Sequence, residues 1–377
     1  MLRSYKYAML PTPEQQEQLQ RFFGSCRFVY NLGLETKIAA WLQARKNLSC
    51  IDLVNQLKEL KDTDASWLTE CPSQTLQMSL RNLDKAYSSF FKGGGFPRFK
   101  NRYSKQSIQF PQGVRVDFEH NTVFLPKLKN VSAVLHRKFE GQIKTVTVSK
   151  TNTGRYFVSI LVENQASMPA KKPVNEETTV GVDMGVRSFA TLSAGSSFEN
   201  IRTLRTNLKR LRTEQRTLSR RFRKGVKAQS SNYHKQKLVV ARLHERIANQ
   251  REDYLHKVST QLIKQYDTVV LEDLNIAGMM KNRKLALAIG EVGWHKFETM
   301  LNYKAEWYGK NIKYIGRFEP SSKLCSACGA IQQELKLHHR EWTCVKCATT
   351  HDRDVNAAIN IKAFGLRNQP ASVNVSQ

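Results

Sequence analysis

Residues 324–360 read LCSACGAIQQELKLHHREWTCVKCATTHDRDVNAAIN, and their spacing organises the reading of the whole chain. Cys325, Cys328, Cys344 and Cys347 form two Cys-x-x-Cys pairs with 15 residues between them. Each pair turns two thiolates toward one ion, and four thiolates complete a closed tetrahedral zinc site. Four sulfur ligands leave no open position, so this zinc is structural, and His338 and His339 are expected on the surface of the finger. An acidic segment and a helix start follow directly. Asp354 precedes Asn356-Ala357-Ala358, whose small side chains let a helix approach a sheet closely, so Asp354 is the acid expected in a site. Asp352 is expected to cap the helix.

Two further acids lie far upstream. GVDMG (181–185) carries Asp183 at the end of a β-forming run, and Gly185 lets the chain turn sharply beside it. DTVVLEDL (267–274) reads as a buried strand ending on Glu272, with Asp273 beside it. Strands and helices alternate from 178 to 364, which predicts an α/β domain, and α/β folds place their chemistry at the carboxyl ends of the strands. Three carboxylates in one place repel unless divalent cations neutralise them, and oxygen-only ligands suit Mg²⁺ or Mn²⁺. Two such ions clamp the attacking and leaving oxygens of a phosphodiester cleavage. Asp183, Glu272 and Asp354 are therefore the expected catalytic and Mg²⁺-binding residues.

The chain carries 60 Lys and Arg against 32 Asp and Glu over 377 residues, a net charge of +28. Such an excess destabilises a compact protein by self-repulsion and points to a polyanionic partner, here nucleic acid. No stretch approaches the ~18–20 apolar residues of a membrane span. The amino-terminal residues turn polar too soon for a secretion signal. Seven cysteines, four of them in the paired motif, favour metal over disulfides.

From the amino terminus, residues 1–10 read as a strand, and Thr12, Pro13 and Glu14 open a helix. Leu19, Phe22, Phe23, Phe28 and Tyr30 are its expected inward side. A later helix at 73–91 has the stripe Leu76, Leu80, Leu83, Tyr87 and Phe90, with Gln74, Arg81 and Lys85 on the opposite side as candidate nucleic-acid contacts. Gly93-Gly94-Gly95 ends the helical unit. Phe96–Arg115 mixes aromatic and basic residues, which suits base stacking with backbone contact. Strand patterns from 107 to 163 predict a barrel or sandwich joined by strand 1–10, with residues 11–92 as a helical insertion and Lys171-Lys172-Pro173 as a linker.

Residues 202–251 hold 16 Lys or Arg and two acids, Glu214 and Glu245. Leu204, Leu208, Leu211 and Leu218 fit one heptad, and Val240, Leu243, Ile247, Tyr254, Val258 and Leu262 another. The reading is an antiparallel helical hairpin with a narrow apolar seam and a basic exterior. Arg210, Arg216, Arg220, Arg221 and Arg223 are its expected phosphate contacts.

At GVDMG, LEDL, GWHKFETMLNYKAEWYG (293–309), EPSSKLCSACG (319–329) and HDRDVNAAIN (351–360), the chain closely resembles the TnpB family. These are accessory nucleases of insertion sequences, related to type V CRISPR effectors. LPTPEQ, CRFVYN, QTLQMSLRNLDKAYSSFF and FPRFK extend the likeness, more loosely, across the amino-terminal half. Ser321-Ser322 stands where many members have Thr-Ser, and the hydroxyl is kept. The resemblance implies a RuvC-like nuclease domain of RNase H-like topology over 173–377. That domain would carry a basic helical hairpin at 201–265 and an inserted zinc finger at 320–350. It also implies a wedge-type β-barrel from 1–10 and 93–172, interrupted by a helical recognition domain at 11–92. The function implied is RNA-guided cleavage of double-stranded DNA next to a short flanking motif. The guide would derive from the transposon end, with one protein per guide RNA, in the prokaryotic cytoplasm at the nucleoid. The alternatives are an unguided RuvC-like resolvase or transposase, and an RNA-guided binding protein with a silent nuclease. The long basic region favours a guide, and the presence of all three acids favours an active enzyme.

Overall fold

The computed structural model describes residues 1–367 apart from 202, 227, 284, 337 and 338, and apart from the side chains of 203–206. The expectations for Leu204 and His338 lie outside the described residues. The chain divides into two units, residues 1–167 and 168–377.

In the first unit, β1 (Leu2–Leu10) buries Tyr7 and Met9. Thr12 then caps α1 (Pro13–Ala44): its hydroxyl accepts from the Gln15 amide while the Gln15 side chain accepts from the Thr12 amide. The buried stripe of α1 runs Leu19, Phe22, Phe23, Cys26, Val29, Tyr30, Leu34. Phe28 falls off that 3–4 spacing. Expected inward, it is 40% exposed and meets Trp67 edge-on at 5.2 Å. After α2 (Cys50–Asp62) and a short turn of helix at Ser66–Glu70, α3 (Ser73–Phe91) buries Leu76, Leu80 and Leu83.

Six strands follow: β2 (Gln106–Phe110), β3 (Arg115–Asp117), β4 (Thr122–Leu125), β5 (Lys129–Ala133), β6 (Gln142–Lys150) and β7 (Tyr156–Glu163). With β1 they form one antiparallel sheet in the order β2-β6-β7-β1-β5-β4-β3. In its hydrogen bonding this is an open sheet with β2 and β3 as edges, where a barrel or sandwich was expected. The first strand of the chain lies at its centre, pairing β7 from Leu2 to Met9. Sheet and helices share one apolar core.

The second unit begins before the expected linker ends: the Lys172 amide donates to Gly309 O at 2.9 Å, and its ammonium pairs with Asp267 at 3.0 Å. β8 (Thr179–Asp183), β9 (Ser188–Leu192) and β10 (Ser197–Glu199) form a meander. The hairpin of α4 (Thr203–Arg221) and α5 (Ser231–Gln265) follows, closed by Leu211, Leu218, Val240, Leu243 and Ile247. Next come β11 (Thr268–Glu272), two short helices α6 (Ile276–Met279) and α7 (Ala286–Val292), α8 (Trp294–Tyr308) and β12 (Asn311–Ile315). The knuckle strands β13 (Glu341–Thr343) and β14 (Thr350–Asp352) lead into α9 (Arg353–Arg367). The five-stranded sheet has the order β10-β9-β8-β11-β12, with β8, β11 and β12 parallel.

Alternating side chains build two cores on this sheet. Val180, Val182, Val269 and Leu271 pack with Leu255, Val258 and Leu262 of α5 and with Phe297 and Leu301 of α8. Val270 and Ile315 pack with Ile361 and Phe364 of α9. The approach of α9 is close: a Cβ at Gly181 would lie 2.1 Å from Ala358 O and 2.5 Å from Lys362 N, both backbone atoms. No helix among the described residues is long and apolar enough to cross a membrane.

Because backbone cannot yield cheaply, Gly181→Ala should lift α9 from β8 and cost about 2 kcal/mol or more in urea unfolding of the full chain. Unchanged stability would show that the helix does not seat this closely.

Candidate active site and metal knuckle

Asp183 and Glu272 end two adjacent parallel strands, β8 and β11, whose register runs Thr268 opposite Thr179 to Val270 opposite Gly181. Continuing that register brings the two acids abreast. Asp354 enters from the first turn of α9, the helix seated on Gly181 of the same strand. Burial pushes the Asp183 carboxyl from its usual 3.8 up to about 8; the charges of Glu272 and Asp354 push the same way, and Arg353 opposes them. Asp183 is thus the focus of the three acids. Asp352 stays at the edge, capping α9 by accepting from the Val355 amide at 2.9 Å.

The two outer acids are each held by a residue from the knuckle segment. The Ser321 hydroxyl donates to Glu272 Oε1 at 2.6 Å. Arg340 pairs with Asp354 at 3.6 Å. Asp273 faces away from this arrangement, paired with Arg317 at 2.8 Å. The knuckle backbone is in turn gripped by α9. Asn360 donates to Ser321 O and Leu324 O, and Asn356 donates to Leu324 O and accepts from the Ser326 amide. Both asparagines are buried. Ser321 was noted in the sequence only for keeping a hydroxyl. Arg340, Asn356 and Asn360 were missed, although two asparagines one turn apart on an apolar helix signal capture of neighbouring backbone.

The four cysteine sulfurs lie within 4.8 Å of one another, with Cys325–Cys347 and Cys328–Cys344 at 3.6 Å. A tetrahedron with metal–sulfur bonds of about 2.3 Å has edges of about 3.8 Å, so this spacing fits one zinc ion. Donors act unevenly across the cluster: the Thr349 hydroxyl and amide pull Cys347 down to about 6 and the Cys347 and Lys346 amides lower Cys344, while the neighbouring cysteines push Cys328 up to about 12. Among the described residues, no other set of His, Cys, Asp or Glu is gathered this tightly, so the three carboxylates stand further apart than the cysteines.

His351 was also missed. Its Nε2 lies 3.1 Å from Cys325 Sγ, and its ring packs on Trp342 at 4.8 Å, the residue opposite it in the β13–β14 ladder. A zinc-bound Cys325 thiolate would accept here, so with the ion in place the Nε2–H would donate to sulfur.

Of the expected nucleic-acid contacts, Arg81, Lys85, Arg210, Arg216, Arg220 and Arg223 are exposed, and Gln74 is partly buried. Arg221 is exposed too, but its guanidinium is engaged within the hairpin, donating to Asn232 O and Gln236 Oε1.

An acid whose folded pKa is raised opposes folding once ionised; that cost is absent below about pH 4 and grows as pH rises toward 8. Asp183→Asn should therefore stabilise the metal-free chain by a few kcal/mol at pH 7.5 and give no gain at pH 4, read as Tm. Mg²⁺ should raise the Tm of the unaltered chain and leave that of Asp183→Asn in place. Equal Tm values at pH 7.5 would contradict the clustering. For the knuckle, His351→Ala should speed zinc transfer to a chromogenic chelator by about tenfold. An unchanged rate would remove His351 from the metal's surroundings.

The OrfB_IS605 family model, described as a probable transposase, matches residues 158–283, and a Cas12f1-like TNB domain matches 294–361. A helix-turn-helix model matches 1–46, a span that here is one strand and one uninterrupted helix. A Streptomyces pristinaespiralis protein is 41% identical over 97% of this chain and 89% of its own length, and one from Escherichia coli K12 is 35% identical over 97% and 92%. Both are named "Putative RNA-guided DNA endonuclease", the second with the suffix InsQ. The Cas12f1 chain solved with sgRNA and target DNA shares the fold, with a TM-score of 0.57 at 17% identity over 93% of this chain and 83% of that one. With such identity along nearly its whole length, the chain belongs to the TnpB family of insertion-sequence OrfB proteins.

Proposed function

We propose that this chain is an RNA-guided DNA endonuclease of a transposable element. The observation that carries the reading is the convergence of Asp183, Glu272 and Asp354 at the carboxyl end of a parallel strand pair. The sheet order, an antiparallel meander followed by two parallel strands, supports an RNase H-like, RuvC-type domain from about residue 173 onward, with the knuckle as its insert. The amino-terminal sheet is read as the wedge domain and the helices of 11–92 as the recognition domain. The partners are a guide RNA from the transposon end and double-stranded target DNA, with one protein per guide, at the prokaryotic nucleoid.

Asp183, Glu272 and Asp354 would hold Mg²⁺ or Mn²⁺, and the raised Asp183 carboxyl is the mark of a donor set that needs such a charge. Bound there, a pair of ions supplies charge neutralisation at the attacking and leaving oxygens of a phosphodiester. The protein's part is positional. Ser321 fixes the rotamer of Glu272, the Asp352 cap sets the start of α9, and the grip of Asn356 and Asn360 keeps Asp354 facing β8. Arg340 and Arg353 offer guanidinium groups to the phosphates on either side of the cut. The zinc of the knuckle takes no part in the reaction. Gln74, Arg81, Lys85, Arg210, Arg216, Arg220 and Arg223 offer sequence-independent contacts to guide and target backbones.

The test is to express the chain with its native flanking DNA, sequence the RNA that copurifies, and assay Mg²⁺-dependent cutting of a matched duplex. One discrete RNA ending past the element boundary, with cutting abolished in Asp183→Ala and RNA retained, is the expected result. Random cellular RNA would favour an unguided junction enzyme, and a discrete RNA without cutting would favour a guided binder.

A further inference from the structure

Phe318 is 94% exposed, the most open of the large apolar side chains described. Leaving such a ring in water forgoes the burial that favours folding, which makes its placement informative. It stands on a turn closed by the Glu319 amide donating to Gly316 O at 3.2 Å, with Arg317 and Phe318 at the two tip positions.

That turn is braced against the active site on both sides. Arg317 donates from Nη2 to the Asp273 carboxylate at 2.8 Å and from Nε to Asp273 O at 3.3 Å. Three residues beyond the tip, Ser321 donates to Glu272. The ring is thus carried by a turn fixed to Glu272, the last residue of β11 and a proposed catalytic acid, and to Asp273, the residue after it.

We infer that Phe318 stacks on an unpaired base of the DNA strand being cut, next to the scissile phosphate. A flat, exposed apolar ring on a turn tied to one of the acids matches the π-face that every base offers, and base–aromatic stacking needs no particular sequence. A base within a duplex has both faces covered, so the partner is single-stranded. Because the turn is tied to Glu272, whatever lies on Phe318 is the strand presented to the acids, which assigns the contact to target DNA. This rests on the nuclease reading above. Phe318 acts as a positioning residue that holds the nucleotide beside the bond to be broken.

The experiment uses the full chain carrying its copurified RNA, with matched DNA containing 2-aminopurine at successive positions around the cut and Ca²⁺ in place of Mg²⁺. Fluorescence should be quenched at one position, recover at least about twofold in Phe318→Ala and stay quenched in Phe318→Trp. With Mg²⁺, Phe318→Ala should raise KM for DNA about tenfold while changing kcat less and leaving RNA retention intact. Unchanged KM and fluorescence in Phe318→Ala would overturn the inference, as would loss of RNA, which would place the ring on the guide. If the unaltered chain fails to cut, the nuclease reading falls by itself. The fluorescence arm then still decides whether Phe318 meets a base.

Discussion

Three carboxylates held near one another without a counter-charge repel, and the second unit is arranged around that repulsion. It is answered in two ways. Asp183, the innermost acid, holds a proton up to about pH 8. Glu272 and Asp354, further out, are each drawn aside by a donor, the Ser321 hydroxyl and the Arg340 guanidinium. The arrangement fits the cation site proposed above, where bound positive charge would offset the repulsion that now pushes the Asp183 carboxyl up.

Both donors come from the segment that includes the knuckle, which ties the four-cysteine cluster to the three acids. The knuckle positions Arg340, α9 grips the knuckle through Asn356 and Asn360, and α9 itself carries Asp354. Helix, knuckle and acid are therefore linked through one set of hydrogen bonds. The glycine at 181 is the seat of that helix on the sheet, and His351, the residue before the helix cap, reaches the sulfur cluster at Cys325. Loss of zinc would act on catalysis through position and leave the chemistry of the acids unaltered.

Much of this was legible in the chain. The cysteine spacing is a local geometric signal, and the three acids stand at strand ends and a helix start that hydrophobic patterning marks. The capping roles of Thr12 and Asp352 follow from side-chain chemistry a few residues away. What stayed hidden depends on distant pairings. Arg340 matters because it meets Asp354, and His351 because the β13–β14 ladder turns it toward Cys325. Phe28 was misplaced because an aromatic near a helical stripe reads as part of it, and only the helix phase separates the two. The open order of the first sheet was equally out of reach, since strand neighbours are set by long-range ladders that alternation cannot specify.

The position of the third acid has a consequence for synthesis. Asp183 and Asp354 are 171 positions apart, and a ribosome adding about 5–20 residues per second needs roughly 10–30 s to travel between them. During that interval the amino-terminal unit is already synthesised, Glu272 joins Asp183 about halfway through, and Asp354 is the last of the three acids to be made. On the function proposed above, RNA could be captured on the translating polysome, while competence to break a strand would arrive only with the segment that carries Asp354. On that reading the order of the segments along the chain would separate assembly with nucleic acid from hydrolysis of it.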